Sequence, residues 1–457
     1  MQGKCNATPL LHLLCTLPLL LIIHLLLLLC AIHLLPSSSS PGATSHPINP
    51  NLPTIAIVLG TRPEMIKLAP IIQLLRSNHS VNTLVISTGQ HHAMMQQSLM
   101  GWNLSIDHDL NILQHNQSLS DLFISAITAC HSLFRHLFPP TSESDRNRKL
   151  VVMVQGDTTT ALAAATVSYL MGLPVAHVEA GLRTFDHHNP FPEEFNRRVI
   201  DMVASVHFTP TRFAEQVLID VEGTCPVSIH TVGNTVVDAI RKMMTLRIPN
   251  YEFIDRSKVN VLVTSHRREN IGQPLVNICL AILQLLQRFR HLNVILPMHL
   301  NPNVRKIVKQ YLSGQQSIHL IDPIPYHEFT QVMRGVQLIM TDSGGVMEEA
   351  VTLGIPCVLL RRVTERPEGI YEGTVHVTGQ ITVESIVEKT SRILEELSSK
   401  IPAGGRQERR LYHTFGDGHA SERIVRIIYE KLSVGIDVPC VVNRQDEIAA
   451  KLGYLSN

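Results

Sequence analysis

Several classes of function are excluded by what this chain lacks. Aromatic residues make up only 5% of its 457 positions and tryptophan occurs once, too few for the stacking platforms that hold single-stranded nucleic acid. Neither sign of charge is in excess: the formal net charge is +1, which gives no electrostatic footprint for a nucleic-acid partner. The eight cysteines (Cys5, Cys15, Cys30, Cys130, Cys225, Cys279, Cys357 and Cys440) form no CxxC pair. They read as scattered small apolar residues, neither a zinc site nor a disulfide framework. HExxH and HxxxH are absent, so no metal site is expected. No GxGxxG fingerprint or P-loop occurs, so neither a dinucleotide cofactor nor ATP hydrolysis is expected by those routes. No cofactor is expected.

One long apolar run is present. Between Leu10 and Leu35 there is no Asp, Glu, Lys or Arg. As a helix it would extend about 39 Å, against a hydrocarbon core of about 30 Å. This reads first as a signal-anchor giving membrane attachment. A cleaved signal, an organellar leader and a spurious translated extension remain as alternatives. The expected organisation is a hydrophobic segment at 1–36, a Ser/Pro-rich linker at 37–52, an α/β domain at 53–235, a second at 236–432, and a tail at 433–457.

The body alternates short β-rich runs with helical apolar spacing. Strands are expected at 54–59, 81–87, 150–154, 174–178 and 206–209. A second series follows at 259–264, 294–297, 318–321, 338–341 and 357–360. Helices are expected at 65–75, 161–171, 275–289 and 346–353. This alternation implies two doubly wound, Rossmann-like domains, each a parallel sheet with helices on both faces, facing across a cleft. A late amphipathic helix at 424–432 is expected to fold back on the first half.

The chemistry concentrates at strand ends, where open α/β sheets bind ligands. Gly156-Asp157-Thr158 closes one strand, Glu179-Ala180-Gly181 the next, and Pro192-Glu193-Glu194 follows in one loop. Three acidic positions in one crevice point to proton transfer. Each has a bland alternative: helix capping for Asp157, a buried pair with Arg183 for Glu179, and a first-turn helix acid for Glu193. Gly60-Thr61-Arg62-Pro63-Glu64 opens a helix from which Arg62 and Lys67 can face an anion. In the second half Asp342-Ser343-Gly344-Gly345 opens a helix whose N–H groups suit a diphosphate, with Ser343 as an added donor. Of Glu348 and Glu349, one is expected to accept from ribose hydroxyls and the other to be an ordinary surface residue. Arg366 is expected to neutralise phosphate, or else to form a structural ion pair. His266, at a strand end beside Arg267 and Arg268, suits a pyrophosphate leaving group.

These motifs, in this order, resemble the non-hydrolysing UDP-N-acetylglucosamine 2-epimerases. The matching pieces include Gly60 to Glu64, Thr88-Gly89-Gln90-His91, Gly156 to Thr160, His177 to Thr184, Pro192 to Arg197, Gly233-Asn234-Thr235, His266 to Glu269, His299 to Pro302, Asp342 to Glu349, Thr364 to Glu368 and Gly416-Asp417-Gly418. The resemblance spans about residues 53–430 and implies a glycosyltransferase-B-like fold. It implies interconversion of UDP-GlcNAc and UDP-ManNAc through elimination of UDP to a 2-acetamidoglucal and re-addition. Asp157, Glu179 and Glu193 are then the catalytic carboxylates, without assignment to a face, and His266 assists the UDP leaving group. Arg62, Lys67, Phe329, Ser343, Gly344, Gly345, Glu349 and Arg366 become UDP ligands, with Phe329 against uracil or simply in the core. The family also implies a homodimer, and a second UDP-GlcNAc bound as activator near Gln90 and His299. A hydrolysing epimerase releasing ManNAc and UDP, a glycosyltransferase of the same fold, and a non-catalytic sugar-nucleotide sensor are the competing readings.

Overall fold

The computed structural model describes residues 48–89, 101–114, 117–139, 149–247, 249–265, 267–400 and 411–436. The stretch between Leu10 and Leu35, Gln90 and His266 lie outside them. Among the described residues no helix is long and apolar enough to cross a membrane.

Two parallel sheets form the body. The first holds β1 (Thr54–Leu59), β2 (Asn82–Ser87), β3 (His108–Asp109), β4 (Leu150–Gln155), β5 (Val175–Val178), β6 (Val206–Thr209) and β7 (Ile229–Thr231). Its strand order is β3-β2-β1-β4-β5-β6-β7. The second holds β8 (Val259–Thr264), β9 (Leu292–Pro297), β10 (Ile318–Ile321), β11 (Leu338–Thr341), β12 (Cys357–Leu359) and β13 (Val375–Val377), in the order β10-β9-β8-β11-β12-β13. The expected strands coincide with observed ones to within two residues at each end. The short strands β3, β7 and β13 were not expected, because runs of two or three residues carry too little alternation to read.

The helices of the first domain are α1 (Arg62–Arg76), α2 (Leu119–Leu137), α3 (Thr159–Leu170), α4 (Glu193–Val203), α5 (Arg212–Asp220) and α6 (Thr235–Met244). Those of the second are α7 (Gln273–Arg288), α8 (Pro302–Leu312), α9 (Tyr326–Gly335), α10 (Gly344–Thr352), α11 (Glu368–Tyr371) and α12 (Val383–Lys400), followed by α13 (Ala420–Val434). Because β1 is covered on both faces, its run Thr54–Leu59 is buried throughout. Ile55, Ile57 and Leu59 pack with Met65, Leu68 and Ile72 of α1, while Ala56 and Val58 pack with Ala161, Ala164 and Ala165 of α3. Ile424, Ile428 and Leu432 of α13 are buried in the same cluster as Ile55 and Ile57.

Each sheet reverses its winding at one point, between β1 and β4 in the first and between β8 and β11 in the second. Ligand crevices of open α/β sheets lie at such switch points, outside the carboxyl ends of the strands. Gly60 and Gly156 leave the first pair of strands, and Ser265 and Asp342 leave the second.

Two chain crossings touch where the sheets meet. Asn234 N donates to the Phe415 carbonyl at 2.6 Å. Gly233 has φ +97° and Gly416 φ +124°, and a Cβ on Gly233 would stand 3.2 Å from Gly416 Cα. Glycine at both positions permits the backbone conformation and the close approach.

Cys130, Cys279 and Cys357 are free and buried, matching the reading of small apolar residues. Cys225 departs from it, being disulfide-bonded.

Candidate active site

The N-terminus of α1 is occupied by its own acid. Glu64 is buried and accepts from Gly60 N at 3.0 Å and Thr61 N at 2.6 Å. Its second oxygen accepts from Thr158 Oγ1 at 2.7 Å, tying α1 to the turn after β4. The backbone donors that a Rossmann-type first turn offers to phosphate are therefore used internally. Charged side chains stand beside this turn.

Those side chains form an ion cluster that crosses from one domain to the other. Lys67, buried in α1, pairs with Glu179 and, at 3.1 Å, with Glu348 of α10. Arg366 donates to Glu179 at 2.7 Å, lies 2.6 Å from Glu348 through its Nε, and pairs with Glu365. Asn234 adds a 2.8 Å bond to Glu348, and Gln155 a 2.6 Å bond to Glu179. Arg361 holds the other oxygen of Glu365 at 3.0 Å. Burial alone would raise the Glu179 carboxyl, but Lys67 and Arg366 outweigh it and hold it down at about 2.

Backbone conformation turns Glu179 toward this cluster. Val175 faces the α3 side of the sheet, while Ala176 and Val178 face α1. Simple alternation would send position 179 with Val175. Glu179 instead has φ +70°, uncommon for a residue with a side chain, and its carboxylate meets Lys67 of α1. Left-handed backbone of this kind gathers at functional sites.

Asp157 and Glu193 form a second group. Asp157 pairs with Arg197 of α4, and Asn196 donates to its carbonyl at 2.8 Å. The cap of α3 is Thr158, which accepts from Ala161 N at 3.0 Å, so capping does not account for Asp157. Glu193 begins α4 and faces Arg267 of the second domain at 3.5 Å. Burial raises its carboxyl, the negative charge of Asp157 raises it further, and Arg267 opposes both. Arg197 links the groups, since its charge also lowers Glu179. Glu194 is structural: it is fully buried and accepts from Thr184 N at 2.9 Å and Phe185 N at 3.1 Å.

The other wall is the N-terminus of α10. Ser343 caps it, its hydroxyl accepting from Val346 N at 3.4 Å. Gly344 lies against Arg366: a Cβ there would stand 2.6 Å from Nη1. Arg366, already paired with Glu179, Glu348 and Glu365, thus stands against the helix N-terminus, whose own N–H groups suit an anion. Asp342 accepts from Ser265 Oγ at 2.9 Å, Arg267 N at 3.0 Å and Asn270 Nδ2 at 3.0 Å, fixing the loop after β8.

Both acids of α10 are buried, Glu348 completely and Glu349 to 6% exposure, which corrects the expectation that one is a surface residue. The helix is covered on the cleft side as well as the sheet side. Burial lifts Glu349 to about 7, against the opposing effects of Tyr326, Lys67 and Arg62. Arg62, lowered by its own burial, lies near Glu349 and donates to the Ile324 carbonyl at 3.2 Å. Phe329 is half-buried and packs with the second domain's core. His299 is exposed; its Nδ1 accepts from Asn301 N at 3.2 Å. Among the described residues no group of three or more His, Cys, Asp or Glu side chains is placed to hold a metal ion.

A profile of the UDP-N-acetylglucosamine 2-epimerase family matches residues 73–429. The chain belongs to that family. It is 37% identical over 389 residues to the UDP-N-acetylglucosamine 2-epimerase of Campylobacter jejuni, covering 82% of this chain and 97% of the relative. The crystal structure of UDP-GlcNAc 2-epimerase from Neisseria meningitidis bound to UDP-GlcNAc superposes with a TM-score of 0.75 at 35% identity, covering 82% of this chain and all (100%) of that one. The enzyme from Methanocaldococcus jannaschii in complex with UDP-GlcNAc and UDP superposes with a TM-score of 0.69 at 32% identity, covering 82% and 99%. The twin parallel-sheet body is the glycosyltransferase-B-like fold of these epimerases.

Within this family member, Glu179, Lys67 and Arg366 lie in one cluster, Asp157 and Glu193 in its neighbour, and Ser343, Gly344 and Gly345 at the adjoining helix end. Arg183, the partner expected as the bland alternative for Glu179, pairs instead with Asp201 and Glu222. Sequence reasoning gave no separate role to Gln155, Arg197, Glu64 or Asn234, and set Arg267 beside a pyrophosphate rather than Glu193. Arg197 had a readable signal: it lies four residues after Glu193, one helical turn, on a helix that begins at the site. Asn234 and Glu64 are joined to the site only by tertiary contacts.

Proposed function

We propose that this chain catalyses the reversible inversion of C2 in UDP-N-acetylglucosamine, giving UDP-N-acetylmannosamine. The observation that carries the reading is a cleft lined by two carboxylate groups in opposite electrostatic settings, beside an anion-receptive helix end. Glu179 is kept ionised by two cations, while Glu193 is pushed toward the protonated form by burial and Asp157. Carboxyls in different environments take different roles: Glu193, pushed toward protonation beside Asp157, suits proton exchange, and ionised Glu179 suits charge stabilisation.

The C2 proton of the sugar is poorly acidic because no carbonyl adjoins it. Breaking the C1–O bond first gives C1 oxocarbenium character and acidifies that proton. The electron pair of the C1–O bond leaves with UDP, a carboxylate takes the C2 proton, and a C1–C2 double bond remains. In return, a carboxylic acid delivers a proton to the opposite face of C2, and the diphosphate oxygen re-forms the C1–O bond. Asp157 and Glu193 serve as the proton-exchanging pair. Glu179 holds Lys67 and Arg366 in place and stabilises positive charge at C1. Arg366, Ser343, Gly344 and Gly345 receive the diphosphate, Glu349 the ribose, and Arg62 and Phe329 the uracil end. His266 assists UDP departure. A second UDP-GlcNAc near Gln90 and His299 acts as activator. Phe195 and Met202 of α4, with Leu170 of α3, are exposed apolar side chains on adjoining helices and support a homodimer. Leu170→Glu with Met202→Glu should convert a dimer to a monomer in light scattering.

The test is proton NMR of residues 53–457 with UDP-GlcNAc in D2O. UDP-ManNAc carrying deuterium at C2 is the expected product. Free ManNAc formed in step with UDP would move the chain to the hydrolysing class. Absence of C2 exchange, in a preparation that binds UDP, would favour a glycosyltransferase awaiting its acceptor.

A further inference from the structure

His177 lies on β5, two residues before Glu179, and its side chain is wholly buried. Nδ1 is 2.6 Å from Asp201 Oδ1, and Nε2 is 2.8 Å from the Gly156 carbonyl oxygen. A carbonyl oxygen only accepts, so Nε2 carries a proton. Asp201 is equally committed as an acceptor. Its other oxygen pairs with Arg183 at 2.8 Å and accepts from Gly181 N at 3.2 Å. A guanidinium and a backbone N–H on that oxygen are the partners of an ionised carboxylate. Facing an ionised oxygen, Nδ1 must also carry a proton. The geometry thus asks for a proton on each ring nitrogen.

The charged and titratable groups around it fit that state. Asp201 faces it from α4, Arg183 from the turn after β5, and His207 from β6, with Glu222 pairing to Arg183 at 3.0 Å. Two carboxylates thus balance Arg183 and the imidazolium. His207 donates from Nε2 to the Asp201 carbonyl at 2.8 Å. Burial lowers the His207 imidazole from its ordinary value.

The turn that receives the Nε2 proton carries Asp157. Gly156 N donates to Val178 at 2.9 Å, Asn196 holds the Asp157 carbonyl, and Glu64 holds Thr158. The His177 bond to Gly156 is charge-assisted, and such bonds are roughly twice as strong as neutral ones. We infer that His177 is a positioning residue: as a buried imidazolium bridging Asp201 and the Gly156 carbonyl, it fixes the Gly156–Asp157 turn and with it the direction of the Asp157 carboxylate. Its catalytic consequence rests on the epimerase reading; its protonation does not.

Two measurements test this. In protein labelled with 15N-histidine, one ring should show two imidazolium-type nitrogens at the pH of fastest turnover, and that signal should vanish in His177→Gln and change in Asp201→Asn. A neutral ring at that position overturns the inference without any variant. In kinetics, His177→Gln and Asp201→Asn should each lower kcat by about 10- to 100-fold, the scale of a misplaced reacting group, with KM for UDP-GlcNAc changed less than about threefold because the UDP contacts lie elsewhere. The double variant should be no worse than the poorer single one, as expected for residues in one network. Wild-type turnover with unchanged kcat in both single variants overturns the inference alone. Absence of C2 exchange in the wild type overturns the epimerase reading, and the 15N spectrum still decides the protonation.

Discussion

Arg366 of the second domain donates to Glu179 of the first at 2.7 Å, and the same guanidinium lies against Gly344. One side chain thus joins Glu179 to the helix end that suits a diphosphate. Its charge is balanced by Glu179, Glu348 and Glu365, all three buried. Removing it in Arg366→Ala leaves them short of a cation, and breaking a buried pair costs about 3–5 kcal/mol. Urea unfolding should register that loss. Arg366→Lys should recover part of the stability but little of the turnover, since an ammonium cannot reproduce the fork. A loss under about 1 kcal/mol in the alanine variant would mean that the cluster does not bind the domains.

Neutralising Glu179 separates catalysis from folding. Glu179→Gln keeps the shape of the side chain and can still meet Gln155. It should lower C2 exchange by about 10²–10⁴-fold, the usual scale for a lost proton-transfer or charge-stabilising group, while UDP still binds in calorimetry. Full exchange activity in this variant would remove Glu179 from the mechanism.

Glu349 makes stability and ligand binding depend on pH in opposite directions. Its carboxyl rises from an ordinary 4.5 to about 7 in the fold because of burial. The stabilising contribution is full below about 4.5 and is lost as pH rises through about 7. Its size is on the order of 3 kcal/mol. Urea midpoints of the ligand-free protein should therefore fall over that interval, and Glu349→Gln should flatten the trend. Glu179 acts in a separate window, contributing above its ordinary value and losing that contribution as pH falls toward about 2. If ribose hydroxyls donate to Glu349, UDP favours the ionised form. Its affinity should then rise through pH 7 with release of a proton, which calorimetry in buffers of different ionisation enthalpy detects. Proton uptake on binding would contradict the ribose assignment.

The two glycines of α10 should respond differently to a methyl group. At Gly344 a Cβ meets Arg366 Nη1 at 2.6 Å; at Gly345 the nearest atom is Ser343 Oγ at 3.9 Å. Gly344→Ala must shift the guanidinium and should reduce turnover at least tenfold, in line with a displaced positioning group. Gly345→Ala should leave stability within about 0.5 kcal/mol and act only through the approach of the diphosphate. Equal effects of the two substitutions on thermal stability would argue against the observed placing of Arg366.

The strand-and-helix series was legible because the central strands β1, β4, β8 and β11 are buried on both faces and read as unbroken apolar runs. Asp157 and Glu179 were legible because they follow the ends of β4 and β5, and Glu193 because it directly follows the next loop. Their partners were less so. Lys67 and Glu348 are distant in sequence, and only the packing of α1 against the second domain brings them together. Capping seemed sufficient for Asp157 until Thr158 proved to be the cap. Glu348 resembled a surface acid because adjacent acids on a helix usually include one facing solvent; here the second domain's cleft covers both.

The last described helix has a consequence for synthesis. Ile424, Ile428 and Leu432 complete the core around Ile55 and Ile57, so the strands made earliest wait for side chains made near the end. The second domain, whose core also draws on Phe415, is complete only shortly before that helix is made, although domains more often finish in the order they are translated. The last helix packs on α1 and α6, so a ribosome stalled before residue 420 holds a nascent chain in which those two helices lack their outer partner.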